Sequence, residues 1–384
     1  MNRSDIPPTP EPRAAYVHVP FCRHRCGYCN FTVLAGRDDL IEDYLRAIEI
    51  ELSGLGVPRE VDTLFFGGGT PSHLPVHQLR SLLEVTRSWF VLKEGHEFSI
   101  EANPIDVTRD LVSLLAEFGV NRVSLGVQSF DAGKLQFLER DHDGAIVHRS
   151  VDLVRAKVQS VAIDLIFGVP DETLDLWQAD LARALAIEVD HVSTYGLTYE
   201  KGTTLWGRWH RGQVTPIDEE RERSMFELSI DKLTQSGFEH YEVSNFARPG
   251  HRCRHNEAYW GGRSYFAAGP GAARYIGGRR EINHRGTTTY LKRVLAGLSP
   301  VGESESLGPE DRASEALVIG LRRIRGVNRA QFASETGFAL VDLLGGELQR
   351  FLVGGLMEWN GDWLRLTREG LLVSDSLWPR LLRV

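Results

Sequence analysis

Six short runs rich in β-branched and aromatic residues, Tyr16–Pro20, Val61–Phe66, Glu97–Ala102, Arg122–Val127, Val161–Val169 and His191–Leu197, limit the fold more than any other feature of the chain. Each reads as a buried strand, and the stretches between them, Leu40–Leu52, Val76–Phe90, Thr108–Phe118, Ala145–Val158 and Leu174–Ile187, have helical spacing. A strand–helix alternation of this kind implies a parallel sheet with right-handed crossovers. Six units are fewer than the eight that close a full barrel, so the expected fold is α/β, an incomplete (β/α)6 barrel open on one side. A doubly wound sheet is the alternative that periodicity alone leaves standing.

Beyond the sixth run, Asp218–Gly237 is helical again, and a Gly- and aromatic-rich stretch to Gly278 is expected to be irregular and packed over the barrel. A less regular link reaches Pro309. Helices are then expected at Pro309–Arg323, Arg329–Thr336 and Val341–Val353, followed by a hairpin over Leu356–Leu366 that turns at Asn360-Gly361. Three helices and a hairpin suggest a smaller winged-helix-like α+β unit that packs or lids the barrel rather than binding DNA. The chain is accordingly divided into a disordered Pro-rich start at 1–13, the barrel at 14–240, a connecting region at 241–305 and the C-terminal unit at 306–384.

With 42% apolar residues the chain can bury its core without metal or disulfide staples. A formal net charge of −8 gives no support to phosphate-backbone binding, so no nucleic-acid partner is expected. The start lacks the apolar stretch of a signal peptide, and no run reaches the roughly 18–20 apolar residues that span a bilayer. A cytoplasmic protein without a transmembrane segment is expected.

Cys22, Cys26 and Cys29 stand in C-x3-C-x2-C spacing on the loop after the first run, and only one other cysteine, Cys253, occurs in the chain. This is not a disulfide framework. Three thiolates on one loop can hold three irons of a [4Fe–4S] cluster and leave the fourth iron open. An open iron can chelate the amine and carboxylate of S-adenosylmethionine and deliver one electron to its sulfonium, which releases methionine and a 5′-deoxyadenosyl radical. A zinc knuckle with His24 or His18 as fourth ligand, and three structural cysteines, are the other readings of the triad.

The other strand ends favour the cluster. Phe66-Gly67-Gly68-Gly69-Thr70-Pro71 follows the second run, Glu101-Ala102-Asn103-Pro104 the third and Gln128-Ser129 the fourth; Asp164 lies in the fifth, before Gly168-Val169-Pro170, and Tyr195-Gly196 closes the sixth. In a parallel barrel these ends face one side and converge on one pocket with the cysteine loop.

On these residues, together with Tyr16–Cys22, Ser124–Phe130, Asp164–Pro170 and Tyr195–Thr204, the chain resembles the radical S-adenosylmethionine superfamily, in the branch related to oxygen-independent coproporphyrinogen III oxidase. The resemblance implies that Tyr16, Tyr28, Gly68, Gly69, Thr70, Glu101, Gln128, Arg140, Asp164 and Gly196 line a pocket for one or two S-adenosylmethionine molecules. Glu101 would accept hydrogen bonds from ribose or ammonium, and Arg140 would face a carboxylate, although a residue in its place could also be a solvated surface charge.

Two features choose within the branch. Phe31 stands at a position that in the decarboxylating oxidases looks like a fourth cysteine, and in this it resembles the HemW-type haem chaperones, whose H-N-x-x-Y-W motif His255-Asn256-Glu257-Ala258-Tyr259-Trp260 also resembles. An imidazole between aromatics can ligate haem iron and stack on a porphyrin, so His255, Tyr259 and Trp260 are the candidate haem residues, with Cys253 a second candidate ligand. The resemblance implies a carrier of haem with acceptor haemoproteins as partners, met at the membrane periphery where these are membrane proteins. Coproporphyrinogen III decarboxylation is not expected of it, and a zinc-binding interaction protein is the remaining alternative.

Overall fold

The computed structural model describes residues 11–382, so most of the Pro-rich start assigned to 1–13 lies outside the described residues. Six parallel strands form its centre: β1 (Ala14–Val19), β2 (Arg59–Gly68), β3 (Phe90–Ala102), β4 (Arg122–Gln128), β5 (Ser160–Phe167) and β6 (His191–Gly196). They pair in chain order, with α1 (Ile41–Ser53), α2 (Val76–Trp89), α3 (Arg109–Glu117), α4 (Gly144–Arg155) and α5 (Leu174–Ala186) between them and α6 (Glu219–Gln235) after them. The helices form because their apolar residues repeat at helical spacing and their ends are capped; Thr108, Asp143 and Thr173 each accept a backbone N–H of the first turn. Their apolar faces close over Leu64, Phe66, Phe98, Ile100, Val123 and Leu125 on the outside of the sheet.

Residues that alternate with these point inward, and they are largely polar: Thr63, Glu97, Ser99, Arg122, Ser124, His191 and Ser193 are all buried. The barrel therefore has an apolar shell around a polar lumen.

The stretch to Gly278 is not irregular, and neither is the link that follows it. β7 (Glu239–Glu242) and β8 (Asn245–Ala247) extend the sheet beside β6, then α7 (Arg254–Trp260) enters the lumen. β9 (Tyr265–Ala268) pairs parallel with β1, and β10 (Ala273–Ile276), β11 (Arg279–Asn283) and β12 (Val301–Ser306) continue antiparallel, with α8 (Thr287–Leu295) before the last. The result is an unclosed sheet ordered β12-β11-β10-β9-β1-β2-β3-β4-β5-β6-β8-β7. These strands have only three to six residues, too few for a period of two to stand out among glycines and tyrosines.

A second apolar cluster belongs to the C-terminal unit. It gathers α9 (Pro309–Leu321), α10 (Arg329–Thr336), α11 (Leu340–Leu344), α12 (Gly346–Val353), α13 (Arg368–Leu372) and α14 (Ser374–Leu382) around a three-stranded antiparallel sheet of β13 (Val327–Asn328), β14 (Met357–Asn360) and β15 (Trp363–Leu366). The helix expected over Val341–Val353 breaks at Gly345, whose φ of 53° no right-handed helix contains. In the hairpin, Asn360 pairs with Trp363, so the two-residue turn is Gly361-Asp362 rather than Asn360-Gly361. Gly361 takes the left-handed place (φ 59°) that a tight hairpin turn needs.

Candidate functional site

The cysteine loop leaves β1 at the C-terminal end of the barrel. Cys22, Cys26 and Cys29 are free thiols, each half-buried. Burial pushes the Cys22 thiol up to about 12, against the pull of a hydrogen bond to Thr70 Oγ1 at 3.3 Å, and burial also raises Cys29. The loop is pinned from outside: Gly27 N–H donates to Glu139 Oε2 at 2.8 Å, and His24 Nε2 meets Glu139 O at 2.6 Å. Arg140 is no solvated surface charge. Its Nη2 donates to Asn103 Oδ1 and Gly126 O, both at 2.8 Å, and its Nη1 points at Cys26 Sγ at 3.7 Å.

The glycines of β2 let the backbone lie against this loop. A Cβ on Gly68 (φ 109°) would sit 2.3 Å from the His18 ring, and one on Gly69 would sit 2.8 Å from the backbone of Val19 to Phe21. Gly68 N–H donates to Glu101 Oε2 at 3.0 Å. Glu101 lies deep in the barrel mouth, where desolvation and then the nearby Asp164 push its carboxyl up to about 7. Ser124 Oγ donates to Asp164 Oδ2 at 3.3 Å. Gln128 ends β4 in the left-handed region (φ 66°), a strained place for a non-glycine residue. Tyr16, Tyr28, Gly68, Gly69, Thr70, Glu101, Gln128, Arg140, Asp164 and Gly196 are all half-buried, whereas the strand residues on the outer face between them are closed to solvent. Gly68, Glu101, Gln128 and Gly196 stand at the strand ends on the side of the cysteine loop, with Gly69 and Thr70 directly after β2.

These residues fit an iron–sulfur cluster and a cationic amino-acid ligand. One loop carries three soft thiol donors, the donor set of a [4Fe–4S] cluster with an open iron, and burial outweighs the pull of Arg140 on Cys22 and Cys29, so bound iron would supply the charge that holds their thiolates. Among the described residues no three His, Cys, Asp or Glu side chains gather as ligands of a single ion would.

The H-N-x-x-Y-W residues lie elsewhere. Thr63 pairs with Glu97 in the register of β2 and β3. Both stand four positions before Gly67 and Glu101, about 13 Å nearer the N-terminal end of the barrel at roughly 3.3 Å per residue. There Glu97 caps α7: its Oε2 accepts Arg254 N–H at 2.7 Å and its Oε1 accepts His255 N–H at 3.1 Å, with the thiol of buried Cys253 at 3.5 Å. His255 is 1% exposed, stacks on Phe65 at 5.1 Å, and uses both ring nitrogens, Nδ1 with Thr63 Oγ1 at 2.9 Å and Nε2 with Tyr259 Oη at 2.8 Å. Burial, and then the charge of Arg122, lower its pKa to about 3, so the ring is neutral at any working pH. Tyr259 and Trp260, one helical turn on, line a cavity of about 250 Å³ against α9. His255 itself reaches that cavity only through Tyr259. Reading the chain for motifs missed Glu97, although the alternation Glu97-Phe98-Ser99-Ile100-Glu101 marks a strand with one polar face.

Residues 16–183 match the family model of the radical SAM superfamily, and residues 307–373 match that of the HemN C-terminal domain. The chain is 32% identical to the haem chaperone HemW of Bacillus subtilis (strain 168), covering 96% of this chain and 99% of that protein. It is 36% identical to the haem chaperone HemW of Mycobacterium tuberculosis (strain ATCC 25618 / H37Rv), with 97% and 95% covered. In fold it is similar to the coproporphyrinogen III oxidase HemN from Escherichia coli, with a TM-score of 0.84 at 22% identity over 96% of this chain and 90% of that one.

Proposed function

Because the chain belongs to the HemW family of radical S-adenosylmethionine proteins, we propose that it binds haem and passes it to acceptor haemoproteins. Likeness to haem chaperones along the whole chain, over barrel and C-terminal unit alike, carries this reading. A [4Fe–4S] cluster and S-adenosylmethionine are the cofactors, and the cluster, when bound, supplies one-electron chemistry. We assign the cluster to Cys22, Cys26 and Cys29. We assign the ligand pocket to the ring of residues around Glu101, with Arg140 held by Asn103 and Gly126 to face an anionic group. The 241–305 region is proposed as the haem-handling segment between the barrel at 14–240 and the unit at 306–384. Cytoplasmic action, with membrane haemoproteins met from the periphery, belongs to the same proposal; among the described residues no helix is long and apolar enough to cross a membrane.

On this reading the purified protein takes up haem about one to one, checked by absorption titration. His255→Ala, which frees Tyr259 from its partner, should weaken binding and shift the spectrum. An unaltered affinity and spectrum in that variant would move the iron ligand away from α7, with Cys253 the next residue to replace.

Glu101→Ala and Gln128→Ala should each weaken S-adenosylmethionine binding while leaving the cluster in place. Loss of a charge-assisted hydrogen bond costs about 1.5–3 kcal/mol. The Glu101 carboxyl sits at about 7, so a cationic ligand must displace its proton below that pH. Affinity should therefore rise with pH up to 7, by at most about tenfold per unit for one proton released, and level off above it. Glu101→Gln should flatten this profile in calorimetry. A wild-type profile already flat between pH 6 and 8 would remove Glu101 from the pocket.

A further inference from the structure

We propose that the cavity between α7, the hairpin of β10 and β11, and α9 seats the carboxylate edge of haem, with Trp260 and Arg312 as the groups that hold a propionate. The proposal rests on the reading of the chain as a haem carrier and adds where the cargo sits. Tyr259, Trp260, Tyr265 and Tyr275 line the cavity and offer the flat aromatic surface a porphyrin packs on. At about 250 Å³ the space falls below the roughly 300 Å³ of pockets that enclose a small molecule, so it admits an edge and leaves the rest of the ring outside. That suits cargo that has to leave again.

Charge and unused donors decide which edge enters. Arg263, Arg280 and Arg312 line the space against one carboxylate, Glu315, and Arg280 is already committed, donating to Glu315 at 2.7 Å and to Glu305 at 3.3 Å. Arg312 is different: its Nε is buried with no hydrogen-bond partner. Its guanidinium lies over the hairpin turn, where a Cβ on Gly278 would come within 2.6 Å of Nη1. Trp260 Nε1 is likewise buried without an acceptor, and the guanidinium of Arg322 lies 4.6 Å above its ring with a third unpartnered Nε. Buried donors are nearly always paired in folded proteins. Here two of them, on Trp260 and Arg312, belong to residues that line one concave space, with the third behind the Trp260 ring. A carboxylate, with two oxygens that each accept more than one bond, completes such a set, and a guanidinium fork matches it.

The test titrates haem and haem dimethyl ester, whose propionates are blocked, against the full-length protein and three variants. The wild type should prefer haem over the ester by about tenfold, the equivalent of one charge-assisted hydrogen bond. Arg312→Met should lose that preference by weakening haem alone, Trp260→Phe should weaken haem several-fold while keeping the ring, and Arg312→Lys should retain most of the preference. Equal affinity for haem and ester in the wild type, or an unchanged preference in both Arg312→Met and Trp260→Phe, overturns the seat. Failure of the wild type to bind either compound overturns instead the haem-carrier reading beneath it.

Discussion

Replacing Cys22, Cys26 or Cys29 by Ala is expected to abolish the cluster: iron and sulfide should fall from about four of each per chain in anaerobically reconstituted protein to background. Three thiolates are the fewest that hold a four-iron cluster with one iron open, so no spare donor can compensate. Thr70, the neighbour of Cys22, offers only a hydroxyl. Cys253→Ala should leave iron and sulfide unchanged, because that thiol is fully buried against Glu97 near the other end of the barrel. Elemental analysis together with the charge-transfer absorption of the cluster reads both results. Stoichiometric zinc without sulfide would point to a knuckle and sink the assignment.

The second large effect is expected at Glu97. Its carboxylate caps α7 through two backbone N–H groups, accepts Ser99 Oγ at 3.2 Å, and lies within reach of the buried Arg122 charge. Without it the Arg254 and His255 N–H groups lose their acceptor, and each buried donor left unsatisfied costs about 1–3 kcal/mol. Glu97→Ala should lower stability by that amount in denaturant titration, and haem affinity should fall with it as His255, Tyr259 and Trp260 lose their anchored helix. Glu97→Gln keeps the shape and one acceptor and should lose less. A cost under about 1 kcal/mol for Glu97→Ala would mean that α7 holds its place without the cap.

The parallel barrel could be read from sequence because its strands are long and its helices amphipathic and capped, so period and chain order agree. The cysteine loop, the triple glycine of β2 and Glu101 were legible for the same reason, each standing directly at a strand end. What lay hidden depends on contacts distant in sequence. Nothing in the spacing says that Glu97 reaches 158 positions on to the backbone of His255. Nor does it place Arg312, on a helix of the C-terminal unit, beside Trp260. Of the strands from Glu239 to Ser306, β8 and β9 pair with the two edges of the barrel and the others build outward from them, so tertiary pairing rather than their own pattern defines them, and their glycines and tyrosines read as loop. His255 carried the most chemistry as a motif, yet in the fold both its nitrogens are engaged, and Tyr259 and Trp260 are the members that face the cavity.

The central claim is that this chain carries haem rather than making it, and one mixing experiment tests it most directly. Haem-loaded, cluster-reconstituted protein is mixed with an apo-haemoprotein, and the two are separated and their haem quantified; a parallel sample receives coproporphyrinogen III, reductant and S-adenosylmethionine. The account predicts that haem moves to the acceptor and that no protoporphyrinogen IX forms. Haem that never leaves, or a robust yield of protoporphyrinogen IX, would contradict it.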